Sequence, residues 1–180
     1  MRDMTERRIE DPKIFIRPAM ELAPYLAGKL LCRDMDGRVE RLRITETEAY
    51  LGEFDTAAHA RHGRTARTEP LYQAGGTLYV YLCYGIHSLL NIITGPENEP
   101  QGVLIRCCEG AEGPGKLTKV LGIDLSYNGL DILVTDRISL WKGPECAFEI
   151  APRVGIGYAS REDQLRPWRF IRKGGSCSTR

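Results

Sequence analysis

The chain has 180 residues, of which 42% are hydrophobic, 27% charged and 8% aromatic, with 19 glycines and 10 prolines. That balance excludes disorder, collagen-like repeats and coiled coil, and a domain of this length buries roughly 70% of its unfolded surface, enough for one substantial core. The formal net charge of +1 hides an uneven distribution: residues 151–180 carry +5 and residues 1–60 carry −2, while His59 to Arg67 holds Arg61, Arg64 and Arg67 without an acid.

In chain order, the charged opening (Arg2, Asp3, Glu6, Arg7, Arg8, Glu10, Asp11) is not an apolar signal segment. Residues 1–13 and 174–180 are expected to be loosely held. Met20 to Ala27 has helix-like apolar spacing and stops at Gly28, a C-cap residue. Lys29 to Arg33 and Arg38 to Tyr50, joined through Met35-Asp36-Gly37, read as a β-hairpin, because Asp-Gly supplies the turn geometry. Glu53 to Thr68 is polar and aperiodic, a loop. A charge-free stretch runs from Leu71 to Pro96, but its tyrosines, His87 and Asn91 suit buried strands better than a membrane span. Thr77 to Tyr84 alternates as a strand, and Leu89 to Thr94 and Val103 to Cys108 are further β-like runs. Gly115 to Leu121 reads as a short helix, and Arg153 to Tyr158 and Trp168 to Ile171 as late strands. No repeat or linker divides the chain. The expectation is a single α+β domain over residues 1–180, with a mostly antiparallel, twisted sheet flanked by short helices.

The six cysteines (Cys32, Cys83, Cys107, Cys108, Cys146, Cys177) form no C-x-x-C pair and have no histidine at zinc-ligand spacing. Cys32, Cys83 and Cys107 sit in apolar runs as small hydrophobes, and vicinal Cys107 and Cys108 make a poor disulfide framework. A soluble protein of the reducing cytoplasm, without a structural metal, is expected.

Two clusters can carry chemistry. In "TETEAYLGEFDTAAHARHG" (45–63), Glu46 and Glu48 lie two apart on one strand face. A solvated strand face is the common role of such a pair. Here Ala49, Tyr50 and Leu51 follow, and then His59 in an Arg-bearing loop; a carboxylate desolvated by such company becomes a useful base near neutral pH. In "GTLYVYLCYGIHSLLNI" (76–92), Tyr79, Tyr81, Tyr84 and Asn91 interrupt an apolar run. Core packing suits Tyr79. Tyr84 precedes Gly85 on a turn, where an outward aromatic beside a basic loop could fill the gap left by an extruded base.

These residues resemble the alkyladenine (3-methyladenine) DNA glycosylase family. The resemblance spans roughly Ile14 to Lys173 and rests on Glu-Thr-Glu-Ala-Tyr-Leu-Gly (46–52), Ala-Ala-His (57–59), Tyr-Val-Tyr (79–81), Tyr84-Gly85, Asn91-Ile92, Val-Leu-Ile-Arg (103–106), Gly-Pro-Gly-Lys-Leu (113–117) and Arg153-Val154-Gly155. It implies Glu48 as the general base on the attacking water, Arg106 as its orienting partner and a backbone carbonyl near Val154 on the same water. It further implies Tyr84 as the duplex wedge, Tyr50 and Tyr81 as walls sandwiching the flipped base, His59 as reader of its edge, and Asn91 as the group crowding out guanine's exocyclic amine. Arg64, Arg67, Lys116, Arg166 and Arg169 are candidates for DNA phosphate contacts. His62 and His87 have weaker claims, and Trp168 reads as core.

The implied activity is base excision repair by a monomeric, cofactor-free and metal-free glycosylase acting on duplex DNA with damaged purines; 3-methyladenine, 7-methylguanine, hypoxanthine and ethenoadenine all fit a stacking pocket. No lysine lies near Glu48, Tyr81 or Asn91 in sequence, so no Schiff-base lyase step is expected. Two features depart from the family pattern: only "CCEGAE" separates Arg106 from Gly113, where larger members carry a longer basic helical segment, and Thr68 stands where Asn is common. Two other readings use the same residues. A non-catalytic binder of damaged or single-stranded nucleic acid would gain nothing from a buried Glu48, and a hydrolase of small N-glycosides would have no use for Tyr84 or the basic tail.

Overall fold

In the computed structural model, which describes residues 7–174, the organising element is a long strand with neighbours along both edges. Strand β2 (Arg38–Tyr50) pairs through its first half with β1 (Leu30–Met35), turning at Asp36 and Gly37, both at positive φ. This is the Asp-Gly hairpin expected from the sequence. Its second half lies between β5 (Gln101–Cys108) on one edge and β9 (Arg169–Arg172) on the other. The segment Glu46–Glu48 is therefore enclosed on both sides.

Beyond β5 the antiparallel sheet continues through β4 (His87–Thr94) to β3 (Leu78–Cys83). The short β6 (Ala111–Glu112) pairs with β5, β7 (Ser139–Trp141) with β1, and β8 (Phe148–Ala151) with β9. Among the described residues, nine strands and three short α-helices make the α+β architecture that the sequence predicts.

Helix α1 (Ala19–Leu26) carries Ala19, Leu22, Ala23 and Leu26 at i, i+3, i+4 and i+7, and all four are buried against the sheet. It packs on the side of β2 where the Thr47 hydroxyl donates to the Ala23 carbonyl. Glu46 and Glu48 point to the opposite face by the period-two rule. Helix α2 (Pro114–Val120) packs on β4 and β5 one residue earlier than expected.

Three expectations are revised. Arg153–Tyr158 is not a strand but a turn-rich segment, with Gly155 at positive φ. The reason is that its polar backbone serves side chains elsewhere and not a ladder, as the site below shows. Residues 7–13 are not loose: Ile9 is buried in the main core, its N–H donates to Leu140 O, and Arg8 bridges Trp141. Cys107 is buried as expected but disulfide-bonded, whereas Cys83, Cys108 and Cys146 are free thiols. Cys177 lies outside the described residues.

Helix α3 (Arg161–Leu165), absent from the sequence reading, clamps the loop that carries His59. The Ser160 side chain caps it by accepting from Asp163 N, and Asp163 Oδ2 accepts from both the backbone N–H and the hydroxyl of Thr56. The hydroxyl and amide of Thr56, the Ser160 hydroxyl and the Arg166 guanidinium hold the Asp163 carboxyl down to about 2. A group whose pKa is lowered by folding adds stability above its unfolded value near 3.8 and loses it as pH falls toward the folded one. Asp163→Ala is accordingly expected to melt below the parent at pH 7, with the gap in Tm closing between about pH 4 and pH 2; thermal denaturation across that range reads it.

Candidate active site

Glu48 is fully buried near the end of β2, yet its carboxylate is well supplied with donors. Oε1 accepts from the Val154 backbone N–H at 2.9 Å, and Oε2 accepts from the Tyr50 hydroxyl at 2.9 Å. Arg106 Nε stands 3.5 Å from Oε1. Burial is the largest influence and raises the carboxyl's pKa; Arg106, the Val154 amide, the Tyr50 hydroxyl and Arg169 oppose it. The outcome is a base stronger than an exposed glutamate, held in one orientation.

The register explains why Arg106 reaches it. Glu46 pairs with Cys107 and Thr47 with Ile105, so Arg106 falls at an irregularity between them. Such bulges re-aim a side chain. The Arg106 guanidinium is thereby brought to both Glu46 and Glu48, with Nε 3.2 Å from Glu46 Oε2. The segment bearing Val154 is anchored by its neighbour. Arg153 makes a fully buried bidentate pair with Asp55 (2.6 and 2.8 Å) and donates to Ala49 O, and its guanidinium lies 4.7 Å from the Tyr50 ring centre and 4.8 Å from that of Trp168. At Val154 the backbone amide meets the site by donating to Glu48.

Above this base opens a cleft of about 780 Å³, lined among others by Tyr50, His59, Tyr81, Tyr84, Arg106 and Val154. A smaller inner pocket adds Tyr79 and Asn91. Asn91 is buried, donating through Nδ2 to Tyr79 O at 3.1 Å. His59 lies edge-on to Tyr81, with ring centres 4.5 Å apart, and its Nδ1 is 2.9 Å from the Tyr79 hydroxyl. Which of the two donates in that contact is set by which ring nitrogen carries the proton. Burial, reinforced by Arg67, Arg61 and His62, lowers the imidazole to about 4.

Tyr84 stands on the β3–β4 turn at φ 52°, followed by Gly85 at φ 70°, and is 93% exposed. Lys116 lines the outer cleft, and so does Lys119, both from α2. The cleft therefore has lysines that sequence proximity did not reveal.

Three arginines expected to contact phosphates are engaged within the protein. Arg169 is buried with Nη1 3.5 Å from Glu46 Oε2, an internal ion pair and not a surface contact. Arg166 is held by Glu162 and Asp163 over Trp168, and Arg64 by Glu69 and Asn98. Thr68, where the family commonly has Asn, is buried and satisfies its loop by donating to Gly63 O and accepting from Thr65 N. His62 accepts from Arg61 Nε, and His87 lines the outer cleft against Gly115.

The sequence reading passed over Asp55, Arg153 as a buried cation, and Tyr158, whose ring lines both pockets while its hydroxyl donates to Ala57 O. The motif Arg153-Val154-Gly155 was the available signal. Among the described residues no group of three or more His, Cys, Asp or Glu side chains is placed to hold a metal ion, and no helix is long and apolar enough to cross a membrane.

The family model for methylpurine-DNA glycosylase matches residues 13–112 and 108–176, and the chain belongs to that family. Similar curated proteins, each named "Putative 3-methyladenine DNA glycosylase", include one from Nitrosococcus oceani, 42% identical over 179 residues (88% of this chain and 87% of that protein). One from Borreliella afzelii is 40% identical over 184 residues (94% and 99%), and one from Methanocella arvoryzae is 39% identical over 182 residues (89% and 90%).

The buried imidazole makes a pH prediction. His59 resists protonation that the unfolded chain accepts near 6.5, so stability is lost as pH falls below that value and levels off below about 4. In an NMR titration the His59 ring signals are expected to stay unchanged from pH 8 to pH 5.5; an inflection near 6.5 would show that burial does not hold the ring neutral.

Proposed function

We propose that this member of the methylpurine-DNA glycosylase family hydrolyses the N-glycosidic bond of alkylated or deaminated purines extruded from duplex DNA, leaving an abasic site and a free base. The observation that carries the reading is the fully buried Glu48 carboxylate, held directly behind Tyr50, Arg106 and Val154, which line an aromatic cleft. A site built only to bind a polyanion would gain nothing from that charge.

In this reading the flipped purine lies between Tyr50 and Tyr81. Alkylated purines are cationic or electron-poor, so both faces attract them, by about 1–3 kcal/mol per stacked base. Tyr50 serves twice, as a wall and as the phenol that orients Glu48. His59 reads the edge of the base, and Asn91, held by Tyr79 O, narrows the pocket against a guanine amine. Glu48 takes a proton from a water directed at the sugar carbon, with Arg106 and the backbone at Val154 holding water and carboxylate in line. The leaving base carries away the bonding electron pair: a cationic alkylated base departs neutral, and a neutral deaminated base departs as an anion that takes a proton from solvent, while the positioned base contributes about 10²–10⁴-fold. Tyr84 fills the space left in the duplex, and flipping costs least at weakened pairs, which favours damaged sites.

Catalysis by water alone leaves the strand intact until alkali is added. The parent protein on a duplex with one hypoxanthine is expected to give alkali-dependent breaks, and Glu48→Gln to lower the single-turnover rate by about 10²-fold or more. A Gln variant as fast as the parent overturns the assignment, and breaks without alkali would show that a lysine such as Lys116 adds a lyase step. Tyr84→Ala is expected to weaken binding to lesion duplex by about 10-fold while leaving single strands nearly unchanged, the loss of one stacked ring; equal losses in a filter-binding comparison would exclude a wedge.

A further inference from the structure

Glu46 is buried as completely as Glu48, faces the same side of β2, and takes no part in the reaction as described above. Its carboxylate meets two guanidiniums, Arg106 Nε at 3.2 Å and Arg169 Nη1 at 3.5 Å, both at the same oxygen, Oε2. The other oxygen, Oε1, is buried without a hydrogen-bond partner among the described residues. An isolated buried carboxylate is costly, and a purely structural pair could be replaced by apolar packing. What sets Glu46 apart is that the guanidinium it holds is shared: Arg106 Nε lies 3.2 Å from Glu46 and 3.5 Å from Glu48.

We propose that Glu46 is a positioning residue for the reaction: it pins Arg106 beside Glu48 and offsets part of its positive charge, so that Glu48 is oriented by the guanidinium without being weakened as a base by a full one. This rests on Glu48 being the general base. Arg169 completes the arrangement by supplying Glu46 with a cation of its own, which keeps Arg106 from being drawn wholly to Glu46.

The charges facing the two carboxylates are few. Glu46 meets Arg106 from β5, Arg169 from β9 and Glu48 on its own strand; Cys107, also on β5, is disulfide-bonded and does not titrate. Glu48 meets those same two guanidiniums and Tyr50. It is also felt by Arg153 and Tyr158 from the segment after β8, and by Tyr81 from β3. Helix α1 packs on the Thr47 side of β2 and turns no charge toward the pair. Within this set Glu46 is the anion whose removal leaves Arg106 facing Glu48 alone.

The test is the pH profile of single-turnover release of hypoxanthine from duplex DNA. Glu46→Gln is expected to move the acidic midpoint down by about 1 pH unit, because Glu48 then feels an undivided guanidinium, and to lower the plateau roughly threefold, because a weaker base abstracts the proton less readily. Glu46→Asp, which keeps the charge, should restore the midpoint. Arg169→Gln should move it the other way, up, and serves also if Glu46→Gln does not fold. A slower Glu46→Gln with an unmoved midpoint makes Glu46 merely structural and overturns the proposal, as does an unmoved midpoint in Arg169→Gln. Parent-like release by Glu48→Gln would remove the underlying base assignment, and this proposal with it, whereas an inert Glu48→Gln with an unmoved Glu46→Gln midpoint would remove this proposal alone.

Discussion

Of the four buried carboxylates among the described residues, the three on Glu46, Glu48 and Asp55 set the terms for the site. None can remain charged in an apolar interior without a partner, so each is matched: Asp55 by Arg153 in a bidentate pair, Glu46 by Arg106 and Arg169, and Glu48 by Arg106 together with a backbone amide and a phenol. Meeting that constraint requires β5, β9 and the segment after β8 to converge on one stretch of β2. The convergence that neutralises the charges is also what builds the floor of the cleft.

The walls follow a second logic. Tyr72 and Tyr79 sit in a small hydrophobic cluster with Ala60, Leu71 and Ile93, apart from the main core, and Tyr81 packs on it. Ala57, Ile156 and Ala159 form another, against which Tyr50 rests. The pocket aromatics are therefore backed by packing from behind while one face lines the pocket, which holds the walls in place before anything binds. His59, in contact with the Tyr79 phenol, is kept neutral by burial and by Arg67, Arg61 and His62.

How much of this could be read beforehand depended on the range of the interaction. The α1 stripe, the Asp-Gly hairpin and the Tyr84-Gly85 turn rest on neighbours a few residues apart, and they stand as expected. The segment 153–158 was misassigned because its apolar and small residues imitate a strand, while its backbone is committed to Glu48, 106 positions away. Arg169 was assigned to the surface because arginines are usually exposed. Only its pairing on β9, opposite Glu48 and next to buried Glu46, takes it inside.

The amino-acid sequence alone determined α1, the β1–β2 hairpin, β3 to β5, α2 and the family motifs, because periodicity and turn chemistry act locally. Tertiary structure decided the short late elements, which charges share a guanidinium and which arginines are engaged inside the protein. Those outcomes depend on burial and on pairs such as Arg153 with Asp55, 98 residues apart, whose energies exist only once distant strands have met.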